Sequence, residues 1–169
     1  LRLLTKATLE EGTRALRRED PQLGEWIDRI GPLGLRRQRH RFSALCRAIC
    51  SQQLAKKAAE TIYGRFANLF APETKPSPAR LLELRTPALR KCGLSGSKVE
   101  YLRALARAFH EGQLGRLKFS RLENEQIIDI LVEVPGIGVW TAEMFLIFSV
   151  GRADVFSVGD LALRNGVER

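Results

Sequence analysis

The chain has 169 residues, enough for one domain or for two small lobes around a shared core. Hydrophobic residues make up 44% and charged residues 28%, a globular balance, and no apolar run approaches the length of a membrane span. Lysine and arginine number 28 against 19 acids, so the net charge of +9 favours a polyanionic partner, as a pull without specificity, with a plain solvated basic surface as the alternative.

Read in chain order, the pattern is helical almost throughout. The first five residues are too short for a signal peptide and no cleavage-like segment follows, so the expectation is a protein of the cytoplasm or nucleoid, nuclear in a eukaryote, and not secreted. One helix is predicted over residues 9–16, and Asp20-Pro21 reads as the start of another. The densest basic run, Leu35-Arg-Arg-Gln-Arg-His-Arg41, is either a phosphate-facing strip or a soluble connector. Phe42, Leu45, Ile49 and Gln52 then follow a helical stripe, with Ala44 and Ala48 beside them. Cys46 and Cys50 share a face of that helix as small core residues; with Cys92 they fit reduced thiols, and without a CxxC pair no zinc or iron–sulfur site is expected.

Ala58, Ala59, Ile62, Tyr63 and Phe66 make a second stripe, and Pro72, Pro76 and Pro78 mark a loop. Leu81, Leu82, Leu84 and Leu89 sit in short helical pieces interrupted by Pro87. Val99, Leu102, Leu105, Ala106 and Phe109 form a third stripe, broken by Gly112 and Gly115. Ser120-Arg-Leu-Glu123 resembles a capping box, though Asn124 is an equally good cap for the helix that carries Ile127, Ile128, Ile130 and Leu131 to Pro135. After Pro135-Gly-Ile-Gly138 the chain resumes as a helix apolar nearly all round, through Trp140, Met144, Phe145, Leu146, Ile147 and Phe148, until Gly151 stops it. No segment alternates as a strand, so the fold class is all-α.

The Pro-Gly-Ile-Gly turn has two readings. It is a plain connector, or it gathers backbone amides of Gly136, Gly138, Val139, Trp140 and Thr141 at a positive helix end, where a phosphate binds without any side-chain charge.

Leu131-Val-Glu-Val-Pro-Gly-Ile-Gly138 resembles the hairpin of helix-hairpin-helix DNA-binding motifs. The following Val139-Trp-Thr-Ala-Glu-Met-Phe-Leu-Ile-Phe148 and Gly151-Arg-Ala-Asp-Val-Phe-Ser-Val-Gly-Asp-Leu-Ala-Leu-Arg164 sharpen the likeness. Together they resemble the helix-hairpin-helix/Gly-Pro-Asp superfamily of DNA glycosylases, within it the 3-methyladenine DNA glycosylase II branch. Phe42-Ser-Ala-Leu-Cys-Arg-Ala-Ile-Cys-Ser-Gln-Gln-Leu54 is similar to that branch's Gln-Gln wedge segment, and Cys92-Gly-Leu-Ser-Gly-Ser-Lys98 to its Gly-Leu-x-x-x-Lys turn.

The resemblance implies two helical lobes around a cleft. Residues 1–36 would form an N-terminal helical segment packing on the C-terminal lobe, and residues 37–169 the glycosylase core. Family members continue through further helices that close the base cleft, so the resemblance implies a chain that stops short of them. It implies a monofunctional enzyme, acting as a monomer on double-stranded DNA and removing alkylated purines without a required cofactor.

By the same resemblance Asp160 is the catalytic carboxylate; by its residue type alone it is a helix cap, and Asp154 is the rival acid with a structural place. Relatives that also cut the strand use a lysine where this chain has Trp140, so no lyase activity is expected. Trp140 and Met144 would line the base pocket, the indole favouring a cationic purine. Gln53 would be the wedge and Leu94 a second wedge on the opposite strand. Gly96, Ser97 and Lys98 would hold phosphate, and the main-chain carbonyls of Val132, Val134 and Ile137 a sodium or potassium ion. Two departures stand out: Ala55 replaces the serine that caps the helix after the wedge, and Ser157 replaces a proline before the aspartate. Two other readings remain open, a non-catalytic DNA-binding module and a sister glycosylase for other damaged bases.

Overall fold

Capping chemistry and proline placement divide the described residues into ten α-helices. The structure, a computed structural model, describes residues 3–73, 75–112 and 114–167. The helices are α1 (Lys6–Glu19), α2 (Pro21–Ile30), α3 (Arg41–Ser51), α4 (Lys56–Asn68), α5 (Pro78–Glu83), α6 (Thr86–Lys91), α7 (Gly96–His110), α8 (Asn124–Val132), α9 (Val139–Phe145) and α10 (Leu161–Val167). α2, α5 and α6 each open with proline in the first turn, where its missing amide costs nothing. Asp20 caps α2 through the Leu23 amide, as the Asp-Pro pair predicts. The cap of α8 is neither Ser120 nor Asn124. Glu123 takes that place in a reciprocal box with Gln126, because residues 119–121 are drawn into a 3₁₀ turn. No strand occurs among the described residues; Leu3 and Arg152 form one isolated bridge. None of the described helices is long and apolar enough to cross a membrane.

α3 to α7 pack as one group, α8 and α9 as a second, and they meet along α3 and α9. A single core joins them, with Leu45 and Ile49 from α3, Phe66 from α4, Leu102 and Leu105 from α7, Leu131 from α8 and Phe145 from α9. Edge-to-face pairs brace it: Phe42 with Phe109 at 5.3 Å, and Phe119 with Phe145 at 5.4 Å between ring centroids. Each such pair contributes roughly 0.5–1.5 kcal/mol beyond its buried area. The three cysteines lie in this core, and burial lifts the Cys50 thiol to about 12, so they are packing residues rather than nucleophiles.

α9 runs on as a π-helix, Leu146–Val150, which ends at Gly151 in the left-handed region (φ 83°). There the amides of Gly151 and Arg152 both reach the Leu146 carbonyl, at 2.8 and 2.9 Å. Arg152 is fully buried, and its guanidinium donates to the carbonyls of Phe119 and Leu122, fixing the segment that leads to Asp160. α1 and α2 pack on each other and bury little. Their link to the rest runs through the Leu4 amide on the Gly151 carbonyl, at 2.7 Å.

Candidate active site and nucleic-acid interface

The hairpin is built around two glycines with different tasks. Gly136 has φ 85°, and a Cβ there would collide with the Tyr101 ring. Gly138, at φ −96°, is in ordinary backbone, and a Cβ there would meet nothing. Its small size therefore serves no internal packing; it keeps the start of α9 open to an outside group. No side chain caps α9, so the first amides of the helix, from Val139 to Thr141, have no helical partner and face outward with the positive end of the dipole.

Across from the hairpin, α3 ends in a type II turn. Gln52 (φ −52°, ψ 134°) and Gln53 (φ 56°) hold its centre, and the Leu54 amide closes it on the Ser51 carbonyl at 3.3 Å. Gln53 is the one described residue other than glycine with positive φ, a conformation that costs roughly 1–2 kcal/mol. Its side chain is exposed at the tip. α4 then starts at Ala55 without a side-chain cap, as the missing serine implies.

The Cys92–Lys98 turn differs from expectation in two residues. Leu94 is 2% exposed and belongs to the core, so it is not presented to a second strand. Gly93, left-handed at φ 98°, turns the chain inward at that point. The Lys98 ammonium also points inward: it donates to the carbonyls of Cys50 at 2.9 Å and Gln52 at 2.7 Å, the free end of α3. Burial lowers its pKa, partly offset by Cys50. Lys98 is thus a helix cap rather than a side-chain phosphate ligand. The amides of Gly96 and Ser97 remain at the start of α7, where Ser95 caps only the Lys98 amide, at 3.2 Å.

Asp160 and Trp140, twenty residues apart, are in direct contact. The Trp140 indole Nε1–H donates to Asp160 Oδ2 at 2.7 Å, while Oδ1 accepts the Leu163 amide at 2.9 Å and caps α10. One oxygen thus caps α10, as the residue type alone suggests, and the other is engaged by the indole. The Leu163 amide first, then the indole, hold this carboxyl below the usual carboxylate range. The loop before it is held by the Ser157 hydroxyl, which donates to Glu143 of α9 where the family pattern has a proline. Asp154 accepts from Asn124 Nδ2 at 3.3 Å and serves α8.

Trp140 is 47% exposed, its polar edge engaged by Asp160 and its ring partly open. One turn on, Met144 lines a cavity of about 170 Å³ between α3 and α9, together with Ala48, Ser51, Thr141 and Phe148. Trp140 is not in that wall; its neighbour Thr141 is. The two predicted pocket residues thus occupy successive turns of one helix, with only Met144 in the cavity wall.

The basic run divides by role. Arg37 donates to the Val150 carbonyl at the end of the π-helix, and Arg41 lies over the Phe119 ring at 4.8 Å. Arg39 and His40 line an open groove with Arg47 and Lys75. Sequence reading missed Gln52, whose carboxamide Nε2 donates to the Gly136 carbonyl at 2.7 Å. The signal was present: a polar residue on an otherwise apolar stripe requires a partner.

Known proteins resemble this chain in sequence and in fold. The model of a family described as "HhH-GPD superfamily base excision DNA repair protein" matches residues 46–169. The chain is 39% identical over 126 residues to DNA-3-methyladenine glycosylase 1 of Schizosaccharomyces pombe, over 74% of this chain and 55% of that protein. The solved DNA-3-methyladenine glycosidase of Bacillus halodurans superposes with a TM-score of 0.80 at 35% identity, covering 99% of this chain and 76% of that one. The S. pombe 3-methyladenine DNA glycosylase Mag1, solved with abasic DNA, gives 0.77 at 34% identity, over 86% and 72%. The chain spans about half the length of the curated relatives it matches.

Proposed function

Because the chain belongs to the HhH-GPD superfamily of base excision DNA repair proteins, we propose that it is a monofunctional, monomeric DNA glycosylase that removes alkylated purines from double-stranded DNA. The observation that carries this reading is the Trp140–Asp160 contact beside the hairpin: an ionised carboxylate and an aromatic ring fixed together at the helix whose next turn lines a cavity. The relatives' names supply 3-methyladenine, and 7-methylguanine is proposed beside it as a second alkylated purine.

The backbone of the damaged strand lies on the amides of Gly136, Gly138, Val139, Trp140 and Thr141 and the opposing contacts on those of Gly96 and Ser97. Gln53 enters the stack as the purine leaves it. The extruded, positively charged purine rests on the indole, whose face attracts a cation. The C1′–N bond breaks with its electron pair departing on the purine, and the positive charge that N-alkylation places on the purine ring makes that departure easy, the base leaving neutral. Asp160 stabilises the sugar cation left behind, and water adds at C1′ and gives up a proton to solvent. Because its carboxyl titrates below the usual range, it is charged at neutral pH. Position 140 offers no amine, so no Schiff base forms and the strand stays intact.

A monovalent cation at the hairpin belongs to the same proposal. The Val134 carbonyl accepts only the Ile137 amide, at 3.0 Å, and keeps a lone pair. The carbonyls of Val132, at the end of α8, and Ile137, before α9, lie where helical pairing lapses. The carbonyls of Val132, Val134 and Ile137 would hold such an ion, and it would supply positive charge toward a DNA phosphate.

The test is a panel of duplexes, each with one lesion, with released bases identified by mass spectrometry. Release of free 3-methyladenine or 7-methylguanine from an unbroken strand is expected. Release of only oxidised or mismatched bases points to the sister activity, and binding without any release to a DNA-binding module.

A further inference from the structure

We infer that Gln52, held from behind by Lys98, is the positioning residue that sets the wedge against the hairpin. Its carboxamide joins the tip of the α3 turn to the Gly136 carbonyl, 84 residues away, in one hydrogen bond of 2.7 Å. Its own carbonyl is held from behind by the Lys98 ammonium at 2.7 Å. Gly136 in turn is pressed against Tyr101 of α7, so the hairpin cannot retreat. The next residue, Gln53, sits in a conformation costly to anything but glycine. Such a turn persists only if its neighbours fix it. Gln52 and Lys98 supply that fixing, from two sides, at one residue's distance from the tip. The result is a set spacing between the point that enters the base stack and the amides that grip the phosphate.

This inference rests on the proposed base-flipping reading, and the experiment separates the two. The probe is a duplex carrying a tetrahydrofuran abasic residue opposite 2-aminopurine, whose fluorescence reports insertion of the wedge without needing base release. The full chain should bind it with a fluorescence change that Gln53→Ala abolishes. Gln52→Met keeps the side-chain length and removes the donor. It should weaken probe binding roughly five- to tenfold, the worth of one hydrogen bond, and shift binding to undamaged duplex less than twofold. Gln52→Glu, the same shape without a donor, should do at least as much and stands in if the methionine variant fails to fold. Adding Gln52→Met to Gln53→Ala should cost nothing further, since Gln52 acts through Gln53. Overturning results are wild-type behaviour of both Gln52 variants, losses that multiply in the double variant, or an equal loss on undamaged duplex. A wild-type chain that inserts its wedge yet releases no base would sink the enzymatic reading alone. One that gives no insertion signal would sink both.

Discussion

Replacing Gln53 by glycine should make the protein more stable and less able to act. Gln53 holds the third position of a type II turn at φ 56°, where a residue with a Cβ costs roughly 1–2 kcal/mol. Its side chain is exposed and makes no hydrogen bond among the described residues, so truncation removes no contact. Glycine's greater unfolded-state entropy takes back about 0.5–1 kcal/mol. The balance is a gain of about 0.5–1 kcal/mol, which for a chain of this size raises Tm by about 1–4 °C. The loss appears in function. Extruding a base costs a few kcal/mol of stacking, part of which the wedge offsets, so single-turnover base release from a methylated duplex should fall about tenfold or more. The assays are urea titration beside that single-turnover rate. A Gln53→Gly protein that is less stable than wild type, or that releases base at the wild-type rate, would refute the argument that strain is kept there for the wedge.

The hairpin glycines should separate. Gly136→Ala meets both a positive φ and the Tyr101 ring and should lose about 2–4 kcal/mol in denaturant titration; Gly138→Ala should stay within about 0.5 kcal/mol of wild type yet bind duplex several-fold more weakly by fluorescence anisotropy. Lys98→Met should cost about 1–3 kcal/mol through two orphaned carbonyls. It should leave the slope of log affinity against log salt unchanged, whereas loss of a phosphate ligand would reduce that slope by about one. For Asp160, a folded pKa below the usual carboxylate value means its ionised form stabilises the fold above about pH 4. That contribution is lost as pH falls through the depressed value, so the Tm difference between wild type and Asp160→Asn should shrink below about pH 4, and base release should keep its acid limb there too.

Much of this site could be read in the chain because its signals are local. Pro135, Gly136 and Gly138 announce a turn between helices, and the glycine amides need no side chain to act. The Gln-Gln pair at the end of a helical stripe likewise marks a turn. What the chain hid is direction. Lys98 carries a charge, and charge alone suggests phosphate; its acceptors are carbonyls of α3, which no residue letter displays. Leu94 follows a glycine that turns it inward, and the sign of that turn is a backbone property. Glu123 takes the cap of α8 because residues 119–121 form a 3₁₀ turn first, a choice settled by Phe119 packing in the core. The π-helical end of α9 left no periodic trace, since its residues are apolar on every side.

The account stands most directly on Asp160. Single-turnover release of 3-methyladenine from a methylated duplex should be lost in Asp160→Asn by at least two orders of magnitude, on the order of one lost electrostatic stabiliser, while affinity for an abasic duplex stays within a few-fold of wild type. An Asp160→Asn protein that turns over at the wild-type rate would contradict it.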